Sequence, residues 1–420
     1  MDLLKTCGEK IGPGMLFAAS CVGTSHLVQS TRAGADYGFA LWWVILLACI
    51  IKYPTFYFGS AYAAVTGESL IDSYQRQGRW AIGVFTLELL VTMFIATSAV
   101  ALITGGLVNS ILGLEIDAIP MTGIMLMVSS LLLITGKYHF FERITTLLVV
   151  LFTGLILLAV LLAAPKLNMQ TADFMPPAEL DLKTILFIIA FAGWMPTAMG
   201  ASVFQSLWVC AKSKDLQRPV TPAEARFDFN LGYIGTALLA FCFLILGVIF
   251  MHQEGIETSS SAAGFAGQFM GLFTLAIGEW AYPIIAIASI AIMFSTLLTL
   301  MDACPRALVR LSEQFSPADN ESKSNVKRYN LFIVAQCLGA IVIVMVFLNS
   351  FKTFIDFATS VAFLVAPLMA LINHRAMFSE KVSGELKPAI GLRVWSYFGI
   401  VTLTIFALCY LYFGVLNQAI

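Results

Sequence analysis

The chain has 420 residues, of which 59% are hydrophobic and only 12% charged, with a mean hydropathy of +0.87. A soluble domain averages about 25% charged and roughly 45–50% apolar residues, so these proportions exclude one. The formal net charge of -1 supplies no basic face for nucleic acid, and the sequence describes an integral membrane protein whose partner is the lipid bilayer.

Runs of about 20 mostly apolar residues, enough to cross a bilayer as a helix, lie at 12–35, 40–65, 82–108, 118–136, 143–164, 184–210, 229–251, 278–301, 329–349, 353–373 and 393–415. An all-α protein of eleven spans is therefore predicted, and the short apolar stretch Gly264–Phe273 reads as a partial external helix. The first run carries no A-x-A-like cleavage site, so no signal peptide is expected. The polar stretch from Ser312 to Arg328 reads as a cytoplasmic loop. Eight scattered cysteines form no CxxC pair and no Cys/His cluster of metal-ligand spacing, and read as small hydrophobes between helices. His26, His139, His252 and His374 stand in different segments, and no GxSxG, Walker or zinc motif occurs. No enzyme chemistry and no cofactor are expected.

Charge orients the chain, because cytoplasmic loops are enriched in Lys and Arg. One set of alternate segments holds Lys5, Lys10, Arg76, Arg79, Lys137, Arg143, Lys212, Lys214, Arg218, Arg226, Arg306, Arg310, Lys323, Lys327, Arg328, Arg375, Lys381, Lys387 and Arg393. That is all but five of the 24 basic residues; the opposite side keeps only Lys166, Lys183 and Lys352. This bias puts the N-terminus in the cytoplasm and, with an odd span count, the C-terminus outside. A multi-pass protein of a bacterial inner membrane, acting as a monomer, is the expectation.

Two spans are interrupted, half the chain apart. The first breaks at Gly23-Thr24-Ser25-His26, and the sixth at Gly193-Trp194-Met195-Pro196-Thr197. Proline lacks an amide hydrogen and clashes with the preceding turn, so a helix does not pass through Pro196 unchanged. Unpaired backbone at membrane depth is tolerated only where it lines a cavity or is buried in protein. Breaks at corresponding places in two halves point to a transporter's substrate site; the plainer alternative is two unrelated kinks.

The stretch Gly12-Pro13-Gly14 through Arg32-Ala33-Gly34-Ala35-Asp36-Tyr37-Gly38, then Leu41-Trp42-Trp43-Val44, Thr66-Gly67 and Ala192-Gly193-Trp194-Met195-Pro196, resembles the NRAMP family of divalent-metal transporters. The resemblance implies a LeuT-like fold working by alternating access. Residues 1–164 would form a first five-helix repeat, 183–373 a second, inverted one, and 393–415 an additional span.

The same resemblance exposes departures. In the family's first-helix Asp-Pro-Gly-Asn motif, Asp and Asn bind metal; here Gly23, Thr24, Ser25 and His26 stand at those places. The sulfur ligand corresponds to Met195 and the carbonyl ligand to Ala192, but the family's sixth-helix His is Thr197. A second-helix Gln falls at Phe56, and a third-helix acidic pair falls near Ser98 and Ala101. A divalent ion leaving water needs compensating charge, usually a carboxylate, so no metal site is expected. Were the protein a cation transporter, its ligands would be Met195, His26 and Ala192.

Half-helix amides at Ser25, His26 and Leu27, with the helix dipole, suit an anion instead. The predicted substrate site is Gly23, Thr24, Ser25, His26, Trp194, Met195 and Thr197, and bicarbonate is the leading candidate. Uptake against an inside-negative potential calls for a co-ion, and Na⁺ is expected on carbonyls near Val22 and Ala192 with the hydroxyls of Thr359 and Ser360. Lys52 is an intramembrane charge, expensive at that depth and therefore either functional or bonded to carbonyls freed by Pro54. Arg32 and Asp36 are candidate gate partners. Glu142–Arg143 and Asp302–Arg306 read as ion pairs near helix ends. Rival readings are a divalent-cation transporter, a carrier of neutral or zwitterionic solutes, and a transport-dead sensor or scaffold.

Overall fold

A computed structural model describes residues 12–135, 138–168, 173–177, 180–313, 321–347 and 351–416. Among them there is no β-strand. The first span is split into α1 (Pro13–Cys21), a π-helical turn over Ser25–Ser30 and α2 (Thr31–Tyr37). There follow α3 (Trp42–Thr66), α4 (Leu70–Gln77), α5 (Arg79–Val91), α6 (Thr97–Leu112), α7 (Ala118–Ile134) and α8 (Tyr138–Ala163). The second half holds α9 (Leu182–Gly193), α10 (Ala201–Asp215), α11 (Pro222–Gly247), α12 (Ala262–Ile277) and α13 (Tyr282–Glu313). It ends with α14 (Glu321–Val346), α15 (Phe351–Met377) and α16 (Ile390–Tyr410).

Helices stand at all eleven expected positions. Among the described residues, seven segments are individually long and apolar enough to cross a bilayer: Trp42–Thr66, Arg79–Leu112, Pro222–His252, Glu279–Glu313, Asn325–Val346, Phe351–Met377 and Ile390–Phe413. The first and sixth spans fall short because each is cut in two, and α7 is a shorter apolar helix, Ala118–Ile134. Burial separates the helices by role. The apolar windows of α3 and α13 are 72% buried, whereas those around α14 and α16 are only 22% buried and turn Leu338, Val342 and Phe398 outward. Such faces stay apolar because lipid, not water, covers them.

Close backbone approach fixes the first span against α11. A Cβ on Gly14 would lie 2.0 Å from the Asp228 carbonyl oxygen, and one on Gly247 would lie 2.4 Å from that of Thr31. Small residues at helix crossings are how membrane helices gain packing without a hydrophobic drive. The Asp228 carboxylate then accepts from the amides of Gly12 at 3.0 Å and Gly14 at 2.7 Å, satisfying the start of α1.

Several expectations need adjustment. The helix expected over Gly264–Phe273 runs from Ala262 to Ile277, because the Ser261 side chain accepts from the Gly264 amide and Gly278, at φ +117, ends it. It buries Phe265, Phe269 and Phe273, so it is a packed element of the bundle. The polar stretch read as loop from Ser312 to Arg328 is helical from Glu321, continuing into α14. Asp302 and Arg306 pair at 2.7 Å. The seven cysteines among the described residues are free. Cys7, Lys5, Lys10 and the side chains of Glu142, Arg143 and His139 lie outside the described residues.

Candidate functional site

The two interruptions meet. The Ser25 Oγ lies 3.1 Å from the Pro196 carbonyl oxygen, 3.0 Å from that of Cys21 and 2.8 Å from His26 Nδ1. Between them sits a cavity of about 40 Å³, lined by Ser20, Thr24, Ser25, Thr92, Trp194, Thr197 and Thr296 together with the apolar Cys21, Ala96, Val100, Ala198 and Leu300. By the usual measure of roughly 10–15 Å³ per water, that is room for about three waters or one small planar solute. None of its lining residues carries a charge. Two buried polar atoms of that wall, Thr24 Oγ1 and Trp194 Nε1, have no hydrogen-bond partner in the protein. An indole N–H donates only, so a buried, unmatched one calls for an acceptor.

The first break turns two of its three expected amides, those of His26 and Leu27, back on the protein. Gly23 carbonyl oxygen accepts from His26 N at 3.1 Å and Leu27 N at 2.9 Å, closing the turn on itself. His26 is fully buried, and its second ring nitrogen, Nε2, lies 2.9 Å from the Thr236 carbonyl oxygen. A carbonyl only accepts, so Nε2 carries the proton and both nitrogens are spent on the protein. Gly23 faces Thr296: an added Cβ would come within 3.0 Å of its methyl.

The second break is bracketed by ions of the protein's own. At the C-terminal end of α9, the Lys52 ammonium donates to the carbonyls of Ala192 at 2.6 Å and Gly193 at 2.7 Å, with the Phe363 ring centroid 5.6 Å away. The carbonyls it holds are freed by the sixth-span break, not by Pro54. At the N-terminal end of α10, Glu88 Oε1 accepts from the Gly200 amide at 3.0 Å and from Thr92 Oγ1 at 2.9 Å. A cation at a helix C-terminus and an anion at an N-terminus both complement the macrodipole. Glu88 was invisible as a site residue in the sequence; a lone acid in an apolar run, four residues before a threonine, was the available signal.

The metal and co-ion candidates fare differently. Met195 is fully buried in the cluster with Phe17, Cys21 and Phe56, while Trp194 belongs to the opposite cluster with Val22 and Leu27. Met195 is not among the residues that line the cavity. The Ala192 carbonyl, expected to hold Na⁺ or a metal, holds the Lys52 ammonium instead. Thr359 Oγ1 lies 2.9 Å from the Ile355 carbonyl oxygen of its own helix, a bond that hydroxyls of membrane helices commonly make. Ser360 and Val22 are buried nearby in sequence to these elements but do not line the cavity. No group of three or more His, Cys, Asp or Glu gathers among the described residues.

Arg32 has a closer partner besides the one expected. It forms a two-pronged pair with Asp356 of α15, at 2.7 and 3.1 Å, and donates to Gln29 Oε1 at 3.1 Å. Asp36 stands 4.0 Å from Arg32 Nε and accepts from Thr258 at 3.1 Å. A flat guanidinium prefers a carboxylate it can meet edge-on, and Asp356, which lies far along the chain, presents that edge. On the opposite side of the cavity, α13 carries Leu300 at the cavity wall and Arg306 and Arg310 in a vestibule of about 920 Å³.

Nearly the whole chain matches a known family. Residues 14–413 fit the model for "Natural resistance-associated macrophage protein-like" proteins. The chain belongs to the Nramp family. An uncharacterized protein of Pasteurella multocida is 31% identical over 96% of this chain and 91% of its own. The divalent metal cation transporter MntH of Mycobacterium tuberculosis is 30% identical over 36% of each chain. Among solved structures, the Eremococcus coleocola manganese transporter aligns with a TM-score of 0.71 at 15% identity, covering 97% of this chain and 87% of that one. MhsT in complex with L-phenylalanine aligns at 0.65 and 16% identity, covering 96% and 98%. The fold is thus LeuT-like, and this Nramp protein is a multi-pass membrane protein on a transporter scaffold.

Proposed function

We propose that this Nramp protein is a secondary active transporter, working by alternating access, that carries a small acceptor-rich anion, with bicarbonate the first candidate and Na⁺ the co-ion. The observation that carries the reading is the uncharged cavity at the two breaks, with the Trp194 indole N–H and the Thr24 hydroxyl buried and unmatched. Desolvating such donors without a partner costs about 1–3 kcal/mol each, a cost that an oxyanion removes. Planar bicarbonate has acceptors on every edge and suits the cavity's size. Hydroxyls of Ser20, Thr197 and Thr296 complete the wall.

Three features weigh against a doubly charged cation here. Carboxylates are missing from the cavity wall, both His26 nitrogens are engaged, and the Lys52 ammonium already occupies the Ala192 and Gly193 carbonyls. A fixed positive charge beside a site repels a second cation far more strongly in a low-dielectric interior than in water. The Arg32–Asp356 pair then serves as the closed outer gate, and the charged vestibule as the route to the cytoplasm, with the N-terminus inside and the C-terminus outside. A monomer of a bacterial inner membrane completes the reading.

Divalent-cation transport is the second reading, favoured by the relatives whose names declare it. The deciding experiment is uptake of radiolabelled bicarbonate by proteoliposomes, with and without a sodium gradient, run beside uptake of radioactive manganese. Bicarbonate accumulation above empty vesicles, driven by sodium, is the expected result. Manganese uptake without it would reverse the assignment.

A further inference from the structure

Glu88 has no role in holding the solute as described above, yet it is the most exceptional acid of the bundle. It lies on α5, nine residues beyond Arg79, and is 2% exposed. At 1.5 Å per residue that is about 14 Å along the helix, close to the middle of a hydrocarbon core about 30 Å thick. A carboxyl group at that depth is expensive and is by default functional. Its Oε1 is doubly satisfied by Gly200 N and Thr92 Oγ1, whereas its Oε2, equally buried, has no partner in the protein. An ionised Oε2 leaves buried negative charge without a donor at that atom, a cost that protonation or a bound cation removes. Gly200 packs closely against the carboxylate: an added Cβ would stand 2.3 Å from Oε2, so a side chain at this position would collide with it.

Its height in the bundle matters. Thr92, one turn beyond Glu88 at the start of the π-helical turn Thr92–Ala96 that follows α5, lines the solute cavity, and Arg76, in the last turn of α4, lines the cytoplasmic vestibule. On α13, Leu300 lines the cavity and Arg306 the vestibule, with Cys304, near enough to feel the Glu88 charge, between them. Glu88 therefore sits between the two compartments. The titratable groups within electrostatic reach of it are Tyr74 of α4 and Cys304 of α13. On α15, His374 is bonded to Ser396 and Arg375 lies over Trp80, both engaged elsewhere. Lys52 caps the other end of the break, on the carbonyls of α9.

We propose that Glu88 is the coupling carboxylate of this transporter: a monovalent cation, a proton or Na⁺, binds at Oε2 and is carried with the solute. The bound cation neutralises the acid that holds the start of α10. Its arrival and departure therefore alter the grip on the half-helix that begins just beyond Thr197 and Ala198 of the cavity wall. The driving ion thus rides on spans three and six, in place of the carbonyl cage expected at Val22 and Ala192. This rests on the transporter reading of the site but not on bicarbonate being the solute.

The test needs no solute. The melting temperature of the purified protein in detergent is followed as Na⁺ replaces K⁺ at constant ionic strength, and again between about pH 5 and pH 8, in wild type and in Glu88→Gln. A ligand that binds only the folded state raises that temperature with its concentration. The expected result is a sodium-dependent rise, or a pH-dependent one, that Glu88→Gln lacks; the sodium arm identifies Na⁺ and the pH arm a proton. Equal dependences in the two proteins overturn the proposal. Should the Gln variant not be recovered, Glu88→Asp withdraws the carboxylate by one methylene and is expected to move the half-saturating cation concentration at least tenfold, roughly 1.4 kcal/mol. An unchanged midpoint in Glu88→Asp overturns it equally.

Discussion

The two broken spans solve the same problem by opposite means. At the first, the chain satisfies its own backbone: the Gly23 carbonyl takes two amides, and Ser25 and His26 bond to neutral neighbours. At the sixth, neighbouring spans supply whole charges, Lys52 at one helix end and Glu88 at the other. The gap explains the difference. The first break spans little more than one residue pair before helical turns resume, so carbonyls and amides stay within reach of each other. The sixth leaves Trp194 to Gly200 outside regular helix, and two helix ends with opposed partial charges face a dry interior. Only a cation and an anion cancel those ends without water. One lesson is that a cavity can be electrically neutral while charges stand at its rim.

If that contrast is right, Lys52→Met has the largest effect. Removing a buried ammonium relieves its desolvation but strands two carbonyls, so stability changes little while solute uptake falls at least tenfold, roughly 1.4 kcal/mol. Uptake and melting temperature measured together check this, and wild-type uptake would show that the capping charge is dispensable. Trp194→Phe sharpens the claim that the cavity recognises acceptors. Loss of one neutral hydrogen bond, about 1 kcal/mol, is expected to raise the solute concentration for half-maximal uptake about fivefold while leaving the melting temperature unaltered. Ser25→Ala is the mildest. It removes the hydroxyl that bridges the breaks and is expected to lower stability by about 1 kcal/mol in denaturant or thermal unfolding. A loss as severe as that of Lys52→Met would erase the distinction between the two breaks.

Membrane embedding, the helix positions and both interruptions were legible from composition, apolar run length and Pro196, all of which act locally. The cavity's wall was partly legible: Thr24, Ser25, Trp194 and Thr197 do line it. Met195 and Ala192 do not serve as a local motif suggests, because the irregular segment after α9 turns successive side chains to opposite cores and hands its carbonyls to α3. Arg32 illustrates the same limit. Spacing along one helix proposed Asp36, yet the better carboxylate geometry came from Asp356 on α15.

What the amino-acid order determined by itself is which segments leave water and where their helices must stop, since hydropathy and proline act within a few residues. Tertiary structure alone decided who satisfies the interrupted backbone. Lys52 with Ala192, Glu88 with Gly200 and Arg32 with Asp356 join residues from different spans, and electrostatic partners in a dry interior are chosen by distance in space, which no spacing along the chain encodes.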